Sequence, residues 1–490
     1  MRKKVIIIGT GPGGLAAGMI MSAKGYDVHL YEKDDRVGGR MKGFDLDGYR
    51  FTAGPTFLIY IDALKQVFNE AGAELDDYLS LKSIDPLYDL VLNDKTISPT
   101  RDKMAMKAHL ESVAPNHIEA YYTHLEKQQT MFTRIRPLLS MPFNSRLSLL
   151  KPSVLKALPF TKPFVSAHTV LKRRFDDPNL VQAMGFQTKY LGMPPKDAPG
   201  VYTALSYLEH KHGIYYLEGG LSKINEAMAD FITKKGGTFH FNTPVKRLLI
   251  RKNKAVGIQK EDDRVDMASI IINNTDFSYF ATKLIKDKHK KKYKDRKINR
   301  MKHSMSTFMM YLGLDKTYQL APHTYIFAKD YDDSLKAISK SHTIDENISV
   351  YIHNPSVIDS TLTDTKNHSA MTVLVPVPNT FSTIDWEAGQ EAFIDRVIAR
   401  IEAKTHIKDL KKHIVKQKII TPNDWEYDFN VYKGAVFSLS HTRSQMLHRR
   451  PHNNYTIKNV YLVGGGTHPG SSLPMIYQSA IITTKMITNT

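Results

Sequence analysis

Four consecutive apolar residues, 5–8, give way at Gly9 to a glycine-rich turn, Gly9-Thr10-Gly11-Pro12-Gly13-Gly14, and small or apolar residues then continue through Gly18. An apolar run this short, bounded by glycine, predicts a strand buried on both faces, and the segment after the turn predicts a helix packed close to it. A second short strand, residues 27–31, ends in Glu32-Lys33. Strand, GxGxxG, helix, strand and acid form a dinucleotide-binding βαβ unit. Gly9 makes the tight turn, Gly11 and Gly13 let backbone approach a pyrophosphate, Gly14 permits close helix packing, and Glu32 accepts from a ribose hydroxyl. The diphosphate is expected at the helix N-terminus, where unpaired N–H groups and the positive dipole end favour an anion. A carboxylate at Glu32 repels a 2′-phosphate, which disfavours NADP.

Farther along, the pattern is interrupted and then resumes. Residues 48–56 read as a strand ending in the Gly54-Pro55-Thr56 turn, and residues 86–208 are mostly helical, basic and aromatic. Strand and glycine signals return at 214–221, followed by a helix through Phe231, a pair of strands at 236–241 and 245–250, and short strands at 254–258 and 269–273. The alternating segments between His303 and Lys416 read as a sheet. A buried strand at 460–463 runs into Gly464-Gly465-Gly466, whose turn has room for phosphate or ribityl oxygens, and a final helix starts near Pro474 and Met475. These boundaries predict an α/β protein. A discontinuous nucleotide-binding domain takes residues 1–85, 209–302 and 417–490, and an α+β substrate domain takes residues 86–208 and 303–416.

The segment Asp35-Arg36-Val37-Gly38-Gly39-Arg40 adds a second glycine pair and a guanidinium able to fork onto phosphate. With the first forty residues it resembles the FAD flavoproteins related to amine oxidases. That resemblance implies a Rossmann-like FAD domain, a strand near Val245 whose backbone meets the adenine, and a final helix whose N-terminus faces the flavin pyrimidine. Gly54-Pro55-Thr56, Tyr190-Leu191-Gly192, Tyr216-Leu217-Glu218-Gly219-Gly220 and Gly466-Thr467-His468-Pro469-Gly470 resemble, more narrowly, the bacterial-type carotenoid desaturases, phytoene and dehydrosqualene desaturases included. The narrower resemblance covers the whole chain and implies non-covalent FAD, a long polyisoprenoid hydrocarbon substrate drawn from a bilayer, and oxygen or a quinone as electron acceptor. Thr52 stands where many relatives carry Asp, and Ser471-Ser472 where many carry small residues, so terminal-methyl oxidation or polyene isomerisation stays open beside desaturation. A C30 precursor is expected over a C40 one.

Composition narrows the setting. A chain of 490 residues exceeds one usual core, and the absence of cysteine excludes disulfides, thiolate metal sites and a redox cysteine pair. No Asp/Glu/His cluster has metal-ligand spacing, so no metal is expected. The formal charge of +19 calls for a partner. Nucleic acid is not expected, because no recognition motif accompanies the charge. Between Met131 and Phe175 there is no acid. Apolar and basic residues alternate there in short helical pieces broken by Pro137, Pro142, Pro152, Pro159 and Pro163. Such basic amphipathic helices suit an anionic headgroup layer. With no 18-residue apolar run and no secretory signal, the expected location is peripheral, at the cytoplasmic face of the cell membrane. The run 283–302, Tyr455 and Lys458 read as ordinary surface, and Arg443 and Arg450 as phosphate or surface contacts.

A hydrocarbon offers no heteroatom, so hydrogen has to leave as hydride to flavin N5 together with a proton from the neighbouring carbon. Candidate proton acceptors in flavin-proximal segments are His441, His468 and Glu218. Two other readings are carried: an oxidase of an amine or porphyrinogen, for which Trp425, Tyr427, Phe429, Tyr432 and Phe437 supply aromatics, and a flavin-free lipid-binding or escort protein on the same fold.

Overall fold

The computed structural model describes residues 2–489. Its first layer is a parallel five-stranded sheet in which β1 (Lys4–Ile8) lies between β2 (Asp27–Tyr31) and the strand Ile270–Asn273, with Thr238–His240 and Val460–Leu462 at the edges. β1 is apolar without alternation because both its faces are covered. Val5 and Ile7 join a core with α1 (Pro12–Ala23) and the C-terminal helix Leu473–Thr488, whereas Ile6 and Ile8 join a second core with Val245, Leu248 and Ile258. A Cβ at Gly14 would lie 2.3 Å from Gly9 O, so only glycine allows α1 to sit this close to the turn.

The second layer is a seven-stranded sheet built from residues 89–97, 306–377 and 414–420. Its long strand Ser306–Leu314 is buried throughout, and its side chains alternate between two cores. Phe308, Met310, Leu312 and Leu314 pack toward the helix Trp386–Lys404, while Met309 and Tyr311 pack toward Phe51 and Trp425. Of the helical segments between Lys103 and His212, Leu110, Tyr121, Leu171 and Leu180 pack toward this sheet, whereas Phe132, Ile135, Val154, Ala157 and Tyr207 pack on the core of the first layer.

Three expectations are corrected. The strand Ile414–Ile420 pairs antiparallel with Ser306–Leu314, so a domain boundary at 416/417 cuts a strand and belongs after Ile420. Residues 236–241 and 245–250 are not partners: Thr238–His240 extends the parallel sheet, and Val245–Arg251 pairs with Lys254–Lys260 in a separate three-stranded sheet. Parts of the presumed surface are interior. Lys290 is buried between Asp287 (2.9 Å) and Asp295 (2.6 Å), and Tyr455 stacks on Tyr293.

Candidate active site

The two layers enclose a cavity of about 390 Å³ that runs from the glycine turn of β1 to the inner face of the seven-stranded sheet. At one end lie Gly9, Gly11, Gly13, Glu32, Lys33, Gly39, Arg40 and Val245. Glu32 is buried at the end of β2. Its Oε2 accepts from Thr10 N–H (2.8 Å) and Thr10 Oγ1 (2.7 Å), which fixes the carboxylate against the turn, and Lys33 Nζ is anchored on Asp34 (2.8 Å). The Arg40 guanidinium lines the cavity, and its one protein acceptor among the described residues is Val436 O, at 2.6 Å. Burial lowers its pKa while Asp276 raises it, so an anion in the cavity would find a desolvated cation ready to pair. Asp276 caps the turn at Ser278 and Tyr279 with one oxygen, and its other oxygen has no partner. Glycine turn, fixed ribose acceptor, buried guanidinium on the cavity wall and unpartnered polar atoms together fit FAD.

The middle of the cavity carries Gly54, Pro55 and Thr56 on one side and Gly465, Ser471, Ser472, Leu473 and Pro474 on the other. Gly54 has φ +79°, and a Cβ there would lie 2.5 Å from Arg40 O, so the turn is tied to the phosphate-end segment. Four predicted residues stand behind the wall instead of on it. Gly14 serves helix packing, Gly38 holds a left-handed turn (φ +117°), Gly466 abuts Phe277, and Met475 points into the helix core. Leu473 and Ile476, three apart on the C-terminal helix, line the cavity in place of Met475.

The three candidate proton acceptors are corrected, because none lines the cavity. Glu218 is half exposed and paired with Lys82 at 2.8 Å. His468 is buried against Phe143 and donates from Nε2 to Met141 O (3.1 Å). His441 Nε2 accepts the Ser471 N–H at 3.0 Å, so its lone pair already holds the wall in place. Burial pushes His441 well below the ordinary histidine range and His468 down to about 3. Arg450 is corrected as well. It is fully buried and donates to Leu439 O, Gly465 O and Thr467 O at 2.7 to 3.1 Å. Burial lowers its pKa to about 10, which leaves a fixed positive charge behind the 464–467 turn.

Beyond the turn the walls become apolar and aromatic: Phe57, Ile59, Met305, Leu374, Tyr190, Tyr325 and Tyr351. Within this part Lys189 is the one lysine that lines the cavity, among the described residues. Of the aromatics at 425–437, Trp425, Phe429 and Phe437 reach the wall, whereas Tyr427 is exposed. Sequence reasoning missed Lys189 and the wall tyrosines 325 and 351, which meet only through sheet pairing. No metal-holding group of His, Asp or Glu occurs among the described residues.

Comparison with known proteins agrees with this geometry. The family model of flavin containing amine oxidoreductases matches residues 12–487. A 4,4′-diapophytoene desaturase (4,4′-diapolycopene-forming) of Methylomonas sp. is 40% identical over 486 residues, covering 99% of this chain and 95% of that one. A lycopene-forming phytoene desaturase of Pseudescherichia vulneris is 30% identical over 492 residues, covering 99% of each. The solved structure of a putrescine oxidase bound to putrescine superposes with a TM-score of 0.64 at 15% identity, covering 100% of both chains, a likeness of fold alone. The chain therefore belongs to the flavin-containing amine oxidoreductases, FAD enzymes, and within them to the bacterial carotenoid desaturases.

Proposed function

We propose that the protein desaturates a carotenoid precursor, 4,4′-diapophytoene, while resting on an anionic membrane surface. The observation that carries this reading is a cavity whose cofactor end is polar, with the glycine turn, Glu32 and Arg40, and whose far end is lined by Phe57, Ile59, Met305 and Leu374. Such walls can hold a polyene by burial alone, at about 25 cal/mol per Å² of apolar surface removed from water. The similarity to the Methylomonas enzyme favours the C30 precursor over the C40 one.

FAD, when bound, supplies the hydride acceptor. Within the chain, Glu32 would hold the ribose, Arg40 would pair with the pyrophosphate, and the turns at Gly54 and Gly465 would shape the ring pocket. Arg450 adds a preorganised positive charge behind the Gly465 carbonyl, which favours an electron-rich ring. The apolar walls exclude water from a carbon that becomes electron-poor. Oxygen or a membrane quinone takes the electrons onward.

Substrate entry rests on the surface between Leu147 and Phe164. Leu147, Leu150, Leu155, Leu158 and Phe164 are 72, 66, 52, 51 and 84% exposed. Arg146, Lys151 and Lys156 are exposed among them. No helix among the described residues is long and apolar enough to cross a membrane, so the proposed contact is insertion of this patch among headgroups. The test is incubation of the purified yellow protein with liposomes carrying 4,4′-diapophytoene or phytoene. New long-wavelength absorption with the C30 lipid supports the reading. Conversion of phytoene alone corrects the chain length, and no conversion of either overturns it.

A further inference from the structure

Removing two hydrogens from a hydrocarbon as hydride and proton leaves the proton inside an apolar cavity, and the three predicted acceptors lie elsewhere. One basic group does open on the apolar half. Lys189, in the turn Phe186–Leu191, places Nζ 3.8 Å from the centroid of the Tyr325 ring and 5.8 Å from that of Tyr351, and no ion pair or hydrogen bond engages it among the described residues. Tyr190 beside it meets Tyr325 hydroxyl to hydroxyl at 3.1 Å. Behind this wall Glu209 is fully buried. Its Oε2 accepts from Tyr88 OH (2.8 Å), and its Oε1 has no partner. Tyr88 OH is 3.2 Å from His210 Nε2, and His210 Nδ1 is 2.7 Å from Tyr121 OH. A line of polar groups thus runs from behind this wall into the helical lobe, and the Glu209 charge at its head acts on Lys189.

We propose that Lys189, as the free amine, is the catalytic residue that takes the substrate proton, and that Glu209, Tyr88 and His210 carry it away. The proposal rests on the desaturase reading. One carbon–hydrogen bond breaks with its electron pair leaving as hydride to the flavin. The neighbouring carbon–hydrogen bond breaks with its electrons forming the new double bond and its proton passing to the Lys189 amine. The resulting ammonium sits over the Tyr325 face, where a cation is stabilised, and discharges to the Glu209 carboxylate. An ammonium present from the start would repel the electron-poor carbon, so the amine has to begin neutral. Burial supports this, holding Lys189 well below the ordinary lysine range with only the Glu209 charge opposing, and raising Glu209 to about 7. The other titratable groups facing this wall, Tyr190, Tyr325, Tyr351, His323 and His353, are all shifted toward their neutral forms.

The test has two arms. In the first, anaerobic flavin bleaching by 4,4′-diapophytoene is timed in wild type, Lys189→Met and Lys189→Arg. Both variants are expected to keep flavin and to bleach about 100-fold more slowly, the scale of a lost general base. Ethylamine is expected to restore part of the rate to Lys189→Ala. Bleaching within about threefold of wild type in Lys189→Met overturns the proposal, as does a defect that vanishes when rates are expressed per bound flavin, which would make the amine a cofactor contact. An inactive wild type overturns the desaturase reading itself. The second arm needs no turnover and survives a variant that misfolds: acetic anhydride labelling of the wild-type protein across pH, read by mass spectrometry. Lys189 is expected to become reactive at least about one pH unit below exposed lysines such as Lys412. Titration together with those lysines overturns the proposal.

Discussion

Replacing Leu155 and Leu158 with serine tests the proposed membrane contact without touching the fold, because both side chains project outward from the helix Pro152–Thr161 whose Val154 and Ala157 face the core. Their exposures of 52 and 51% amount to about one whole leucine left in water. Burying one leucine in headgroup and acyl material is worth roughly 2 kcal/mol. At 1.4 kcal/mol per tenfold, the double variant should bind vesicles about 30-fold more weakly. Replacing Lys151 and Lys156 with glutamine should act separately, at roughly 1 kcal/mol per basic residue lost, and the effect should shrink as salt rises. The assay is cosedimentation with sucrose-loaded anionic vesicles, with circular dichroism confirming an unchanged fold. Equal binding of wild type and the leucine double variant would refute the reasoning, since the patch would then contact something other than lipid.

Other outcomes follow from the same geometry. Gly14→Ala, whose Cβ would fall 2.3 Å from Gly9 O, should force α1 off the turn and yield protein without flavin, read as visible absorbance per protein. Glu32→Ala removes the group that fixes Thr10 and is proposed to hold the ribose, and flavin affinity measured by fluorescence quenching should fall by roughly tenfold to 100-fold, the scale of a charged hydrogen bond. Arg450→Met leaves the Leu439, Gly465 and Thr467 carbonyls unpaired and should destabilise the protein by about 3 kcal/mol or more, seen as a lower Tm. Burial holds His124, His353 and His468 at about 3 and His210 at about 4. Since these folded values lie below the unfolded one, the unfolded chain binds protons first as pH falls. Stability is complete above about pH 6.5 and should drop below it by roughly 1.4 kcal/mol per pH unit for each histidine. Urea denaturation at pH 7 and pH 5.5 checks this, and equal midpoints would contradict it.

What could be read from the chain beforehand was what local order encodes. β1, its turn and Glu32 are adjacent in sequence and act as neighbours, so the cofactor end was legible, and the cavity wall carries Gly9, Glu32, Arg40, Gly54 and Pro474 as expected. The proton acceptors were not legible. His441 and His468 lie in flavin-proximal segments, but whether an imidazole faces the cavity or the wall behind depends on partners such as Ser471 and Met141, the latter 327 positions away. Lys189 looked like any lysine in a basic region until strands at 323–326 and 350–353 brought two tyrosine rings against it. Arg450 looked like surface because an arginine that satisfies itself wholly on carbonyls carries no sequence signature. The strand Ile414–Ile420 was split for a related reason, since the end of a strand at the edge of a sheet shows only in its pairing with Ser306–Leu314.

The most direct test of the account is expression of the chain in cells that make 4,4′-diapophytoene, beside cells that make phytoene, followed by absorption spectra of the extracted pigments. The account predicts longer-wavelength bands with resolved fine structure in the C30 strain. Unchanged spectra in both strains, from a protein that purifies yellow with flavin, would contradict it.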